Sequence, residues 1–280
     1  MEERLFVGYK PPFISSNRYL HQLKQKYRVR KGGFSGTLDP FGEGVLIIAF
    51  GRYTKLFRFL KKSPKLYRAT LLLGGVSRSL DIEQVERIDL VPRYSREEVE
   101  RVFSQFPRRY LQTPPLYSAK KVGGKRAYQL AQQGEEVELK TVPVEIFQLR
   151  LVNYSHPFLT FEAEVSEGCF IRSLGADLAA RLGTTGFLTT LTRLREGKFE
   201  YRCEEPLDPT QFLNCPKNRY LGPINQLQLG RKISIEELET QQDGVYWVKG
   251  EGFFSILEVK NRQVHYLLNN LPLQTSPHFC

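Results

Sequence analysis

Ser35-Gly36-Thr37-Leu38-Asp39-Pro40, running on through Phe41-Gly42-Glu43-Gly44 into the apolar Val45-Leu46-Ile47-Ile48-Ala49-Phe50, is the most informative stretch of this 280-residue chain. Asp39 is flanked by Gly36, Pro40, Gly42 and Gly44, a composition that lets backbone approach a ligand closely. Taken alone, an Asp before a Pro reads as a turn residue satisfying its own backbone. Val45 to Gly51 reads as a buried strand or the start of a buried helix, which periodicity does not separate.

The charge around this stretch is one-sided. Between Arg18 and Arg68 stand 13 Lys/Arg and two acids, Asp39 and Glu43, whereas the rest of the chain balances at 28 basic and 28 acidic residues. The whole net charge of +11 therefore lies near the N-terminus. A polyanionic partner is the simplest reason, because each neutralised phosphate releases counterions; a basic face kept for solubility is the plainer one. Tyr19, Tyr27, Phe34, Tyr53, Phe57, Phe59 and Tyr67 are interleaved with the cations. Aromatics among cations suit unstacked bases better than duplex DNA, although the same rings serve equally as core.

Composition excludes several classes. A hydrophobic fraction of 41% with 16 prolines fits a globular protein. The Val45–Phe50 run is far short of the roughly 20 residues that span a bilayer. Met1-Glu2-Glu3-Arg4 lacks the layout of a signal peptide. Cys169, Cys203, Cys215 and Cys280 contain no Cys-x-x-Cys pair, so neither a disulfide framework nor a zinc site is expected, and the chain reads as a reduced cytoplasmic protein. His21, His156, His265 and His278 are scattered, no Gly-x-Ser-x-Gly elbow occurs, and no parallel βαβ unit with a phosphate loop is present.

The patterning predicts a strand over Leu5–Lys10, then a helix capped within Ser15-Ser16-Asn17 that carries Tyr19, Leu20, Leu23 and Tyr27 on one face. Lys31–Gly36 reads as a glycine-rich loop and Leu66–Leu73 as a strand. A capping box at Ser95-Arg96-Glu97-Glu98 opens a helix with Val99, Val102, Phe103 and Phe106 on one stripe. Gln112–Gly134 reads as an extended loop, Val142–Asn153 and Phe158–Ser166 as paired strands, and Ser173–Leu182 as a helix stopped by Gly183. After about Asn225 come short strands separated by Gly/Asp/Asn turns, the texture of a small appended β module.

Five segments, taken in order, resemble the TruB family of bacterial tRNA pseudouridine-55 synthases. They are Lys10-Pro11 with Ser15-Ser16-Asn17; Ser35–Pro40 running through Gly44-Val45-Leu46 to Gly51-Arg52-Tyr53-Thr54-Lys55; Lys65-Leu66-Tyr67 with Leu73-Gly74 and Asp81; Gln112-Thr113-Pro114-Pro115-Leu116-Tyr117-Ser118-Ala119-Lys120 with Gly124 and Tyr128; and Ser166-Glu167-Gly168-Cys169-Phe170-Ile171-Arg172-Ser173-Leu174, closing at Leu191-Thr192-Arg193-Leu194. The resemblance spans about residues 5 to 200, and its second and fourth segments are the specific ones.

It implies an α/β (α+β) pseudouridine synthase fold: a central mixed, largely antiparallel sheet flanked by helices. Residues 1–225 would form the catalytic domain, with an RNA-clamping insertion at about 112–140, and 226–280 a small β module in the place of the family's RNA-binding PUA domain. The implied activity is isomerisation of uridine 55 in the T loop of tRNA, which needs no redox cofactor, group donor or metal. Asp39 would be the catalytic carboxylate, attacking either C1′ of the ribose or C6 of the uracil. Arg172 would pair with it; a guanidinium holds a carboxylate ionised and oriented. Tyr67 would stack on the flipped base, Leu191 would line the base pocket, and Lys10, Lys55, Lys120, Lys121, Lys125 and Arg126 would touch phosphates, which position RNA without reading its sequence.

Two positions depart from the family pattern. Phe170 stands where a tyrosine is usual, so no hydroxyl is available there to take the C5 proton; stacking, or a proton route through water, is the expected substitute. Phe34 stands where a histidine is usual and would fill the gap left by the flipped nucleotide by stacking alone. The expected partner is the tRNA T stem-loop, bound by a monomer with no obligatory protein partner and no membrane. A guide-RNA-dependent rRNA enzyme of the same family, and a non-catalytic tRNA-binding or folding protein, are the rival readings; the compact C-terminus argues against the first and the paired Asp39, Tyr67 and Arg172 against the second.

Overall fold

The computed structural model describes residues 3–117, 121–122, 125–126 and 139–273, with backbone alone described at 121–122 and 125–126. In chain order the strands are β1 (Arg4–Lys10), β2 (Gly32–Ser35), β3 (Glu43–Phe50), β4 (Lys65–Leu73), β5 (Gly75–Ser77), β6 (Val85–Ile88), β7 (Arg109–Gln112), β8 (Lys121–Val122), β9 (Lys125–Arg126), β10 (Val142–Ser155), β11 (Phe158–Val165), β12 (Gly186–Glu196), β13 (Lys217–Asn218), β14 (Gly244–Lys249), β15 (Phe253–Lys260) and β16 (Gln263–Pro272). Among the described residues the α-helices are α1 (Ser16–Lys26), α2 (Arg96–Ser104), α3 (Ile171–Arg181) and α4 (Ile224–Leu229).

Eight strands form one sheet in the order β1-β3-β12-β4-β11-β10-β7, with β2 sharing an edge of β3 with β12. Every pairing in it is antiparallel except β3 with β12, which meet through Glu43↔Thr192 and Gly44↔Arg193. This short parallel contact depends on Gly44: at φ +111°, a Cβ there would lie 2.3 Å from the Arg193 carbonyl oxygen. The fold is therefore the mixed, largely antiparallel sheet that the family resemblance implies.

The Val45–Phe50 run is strand, and its continuous apolarity has a cause. Both faces of β3 are covered, so alternation disappears. Val45, Ile47 and Ala49 pack with Leu5, Val7, Tyr53, Leu56 and Phe199, whereas Leu46, Ile48 and Phe50 pack with Phe6, Tyr19 and Leu23 of α1. A third core joins Tyr67, Ala69 and Leu71 of β4, Leu159, Phe161 and Ala163 of β11, and Leu188 and Leu191 of β12 to Val99 and Phe103 of α2 and Leu174 and Leu178 of α3.

One expected loop is partly a strand: Gly32–Ser35 pairs with Ile47–Phe50. The glycines there serve close packing, since a Cβ at Gly32 would meet the Phe50 ring at 3.0 Å and one at Gly33 the Phe57 ring at 3.1 Å. The capping box appears as expected, with Ser95 Oγ accepting from Glu98 N–H and Glu98 from Ser95 N–H.

At the C-terminus, β13-β14-β15-β16 form a separate sheet. It reaches back to Lys217–Asn218, before the boundary expected at 226, because a two-residue strand carries no alternation to read. One part of this sheet (Phe254, Ile256, Leu268, Leu271) enters the core under β1 and β3; another (Tyr246, Val248, Leu257, Val259) packs on Leu227, Ile233 and Leu238. Among the described residues no helix is long and apolar enough to cross a membrane.

Candidate active site

Asp39 lies in the connection between β2 and β3, and the loop's own backbone is held by others. Leu38 N–H donates to Ser16 Oγ (3.0 Å) while Ser16 Oγ–H donates to Leu38 O (2.9 Å). The Pro40 carbonyl accepts from Phe13 N–H (2.7 Å) and Lys10 Nζ (3.2 Å). Gly36, at φ +66°, presents its carbonyl to Arg193 Nη2 at 3.0 Å. Leu38 and Phe41, on either side of Asp39, are anchored in the core beneath. With these bonds made by neighbours, the Asp39 carboxylate is released from turn duty and points elsewhere.

It points at Arg172, the second residue of α3. Arg172 Nη2 donates to Asp39 Oδ1 at 3.1 Å, and Nε lies 2.9 Å from Oδ2. Behind it, Nη1 donates to Asp81 Oδ2 (3.0 Å) and Ser79 O (2.7 Å), and Nη2 also donates to Tyr117 O (2.9 Å). Asp81 is itself fixed by Ser79 Oγ and by Glu83 N–H (2.9 Å). The guanidinium thus bridges two carboxylates. The Arg172 and Asp81 side chains are 4% and 2% exposed, whereas Asp39 is 31% exposed and open to a cleft.

That cleft has a volume of about 310 Å³ and brings together Asp39, Tyr67, Phe170, Arg172 and Leu191, with Lys65 and Cys169 also lining it. Its size falls at the small end of ligand pockets, roughly 300–1,000 Å³. Burial is the largest influence on the Asp39 carboxyl and raises its pKa; Arg172 pulls it back, Asp81 pushes it further up, and Lys10 offsets part of the rise.

Below Gly36 lies a buried ionic group. Glu196, fully buried, has Lys65 Nζ 3.3 Å from Oε1 and Arg193 Nη2 3.6 Å from Oε2. Arg193 Nε donates to Val45 O at 2.7 Å. Burial works against its charge, but Tyr67, Glu196 and Asp39 outweigh this and raise its pKa. Phe170 is held through its backbone: its N–H donates to Gln112 Oε1 (2.8 Å) and its carbonyl accepts from Gln112 Nε2 (3.1 Å). Gln112 Nε2 also donates to the Tyr110 hydroxyl (2.7 Å), which donates to Asp177 Oδ2 on α3 (3.0 Å). The root of the 112–140 segment is thereby tied to the wall of the cleft.

Other expected contacts fall elsewhere. Lys10 is fully buried and spends its ammonium on three carbonyls, Pro11 (2.9 Å), Ile14 (2.8 Å) and Pro40, so it does not reach a phosphate; burial pushes its pKa down to about 8. Phe34 does not line the cleft; it sits on β2 opposite Ile48, half-buried against the Tyr19–Leu23 cluster. Lys55 is exposed on the 3₁₀ turn Gly51–Phe59, beside a groove lined by Phe57, Arg58, Leu267 and Leu268. Lys120 lies outside the described residues, and Lys121, Lys125 and Arg126 are described as backbone in β8 and β9. Among the described residues no group of three or more His, Cys, Asp or Glu is placed to hold a metal.

A model of the N-terminal domain of TruB family pseudouridylate synthases matches residues 24–171. The tRNA pseudouridine synthase B of a Nitratiruptor species is 51% identical over 96% of this chain and 98% of its own. The chain belongs to the TruB family. The namesake protein of a Sulfurovum species is 48% identical over 96% of this chain and 97% of its own, and that of Campylobacter jejuni 44% over 96% and 98%. The fold is also similar to that of a Cbf5-Nop10-Gar1 complex crystal structure (TM-score 0.67, 16% identity, 96% of this chain and 84% of that one) and of an archaeal box H/ACA sRNP Nop10-Cbf5 complex (TM-score 0.66, 15% identity, 99% and 89%). This TruB chain is a pseudouridine synthase, an isomerase. Local pattern assigns no role to its Asp81, Gln112 or Glu196: Asp81 and Gln112 lie within family motifs, and Glu196 carries no signal beyond an acid in a strand.

Proposed function

We propose that this chain converts uridine 55 in the T loop of tRNA to pseudouridine, with Asp39 as the catalytic carboxylate. The observation that carries the reading is the open-sided Asp39–Arg172 pair at the floor of the Tyr67–Phe170–Leu191 cleft. The relatives' name, tRNA pseudouridine synthase B, supports the substrate.

In the reaction the N1–C1′ bond breaks, C5 bonds to C1′, C5 loses its proton and N1 gains one. Atoms and electrons balance within the nucleotide. Arg172 keeps Asp39 ionised and aimed into the cleft, whether its carboxylate attacks C1′ or C6. Tyr67 and Phe170 offer rings to a base taken out of its stack, an interaction worth about 1–3 kcal/mol per base. Phe170 has no hydroxyl, so the C5 proton leaves by another route. The protein acts as a monomer without an obligatory partner, and the 112–140 segment and the C-terminal sheet grip the RNA.

The test is an unmodified tRNA transcript incubated with purified protein and mapped for pseudouridine. Modification at position 55, lost when that uridine is replaced by cytidine, is expected. Modification at another site, or none without added proteins or guide RNA, overturns the assignment.

A further inference from the structure

Phe13 is the feature that the reaction leaves unexplained. It is a bulky residue in the left-handed region (φ +63°) and its side chain is 70% exposed. A backbone of that kind suits glycine and is an outlier for a residue with a Cβ. A large apolar ring left in water adds a second cost. Strain of this sort persists only where surrounding structure over-determines it, and it concentrates at functional sites.

The surroundings do over-determine it. Phe13 N–H donates to Pro40 O at 2.7 Å, and Lys10 Nζ draws in the carbonyls of Pro11, Ile14 and Pro40. Ser15 caps α1 by accepting from Arg18 N–H, and Ser16 exchanges hydrogen bonds with Leu38. The loop that displays the ring is therefore bonded to the residues on both sides of Asp39.

We propose that the exposed ring of Phe13 is a stacking platform for an unpaired nucleobase of the RNA substrate, adjacent to the target nucleotide. The inference rests on the RNA-modifying function proposed above. Charge decides the partner: Arg18, exposed on the first turn of α1 that this loop caps, opens the stretch that holds 13 cations against two acids. An exposed aromatic face leading into a basic stretch fits a polyanion with free bases. Taking the target out of the stack strips its neighbours of a partner, and an aromatic face accepts any base.

Phe13→Gly tests this cleanly, because glycine fits the backbone better than the native residue. The melting temperature should hold or rise, while the Kd for a T-arm stem-loop weakens about 5- to 150-fold, the range of one lost stack. Phe13→Leu, apolar but without a π face, should lose most of the affinity, and Phe13→Trp should recover it. A Phe13→Gly protein that binds and modifies the T arm as the wild type does overturns the stacking assignment alone. A wild type that binds the T arm but leaves it unmodified overturns the proposed function instead.

Discussion

Asp81→Asn should weaken the enzyme without touching a residue that meets the base. Asp81 is one of two carboxylates on the buried Arg172 guanidinium and also accepts from Ser79 Oγ and Glu83 N–H. Breaking a buried ion pair costs about 3–5 kcal/mol. Asparagine keeps one acceptor and Arg172 keeps Asp39, so we expect the low end, about 3 kcal/mol. For a chain of this size that corresponds to a fall of about 5–10 °C in melting temperature. The kinetic effect follows from position: with its rear anchor weakened, Arg172 drifts, and a displacement of about 1 Å at such a group costs on the order of 100-fold in kcat. The pH profile adds a sign. Asp81 raises the Asp39 pKa, so its neutralisation lets Asp39 ionise at lower pH, and the acid limb of kcat moves down. Steady-state kinetics from pH 4 to 8 with a T-arm stem-loop, alongside thermal melts, measure all three. Wild-type kcat and melting temperature together would refute the bridging role of Arg172.

Two further outcomes follow from the same geometry. Lys10 has a folded pKa of about 8 against an ordinary 10.5, so between those values the folded state binds fewer protons than the unfolded one, and stability should rise with pH, by at most about 3 kcal/mol. Lys10→Met should remove that rise, so the difference between the two stability–pH curves climbs from pH 8 to 10.5; a flat difference contradicts it. Gln112→Leu removes the paired contacts that hold the Phe170 backbone and should lower kcat about ten-fold with RNA affinity within about two-fold. Unchanged kcat in single-turnover assays would detach Gln112 from the cleft wall.

The parts of this molecule that were legible in the sequence are those where local pattern and tertiary role agree. The α1 and α2 caps, the paired β10 and β11 and the short C-terminal strands came from periodicity and turn residues. The run Val45–Phe50 was ambiguous because both sheet faces are covered there, which erases the alternation that marks a strand. Asp39 and Arg172 are 133 positions apart, so no spacing rule joins them; the family resemblance did, and the structure supplies their contact. Lys10 misled because a lysine in a basic stretch looks solvated, and its burial depends on the Pro11–Ile14 loop and Pro40 closing around it. Glu196 was hidden for a similar reason: Arg193-Leu194-Arg195-Glu196 has the polarity of a surface strand, yet Glu196 and Arg193 turn inward beneath Gly36. Phe34 was named from its place in the motif alone; its half-buried ring packs against the core beside α1, a contact that no local spacing predicts.

Whether Asp39 performs chemistry or merely shapes its loop is decided by comparing wild type with Asp39→Asn, for pseudouridine formation and for affinity toward the same T-arm stem-loop. We expect a Kd within about two-fold and turnover below detection, because the loop is held by Lys10, Phe13, Ser16 and Arg193 without help from the carboxylate. Pseudouridine formed by Asp39→Asn at the wild-type rate would contradict a catalytic role.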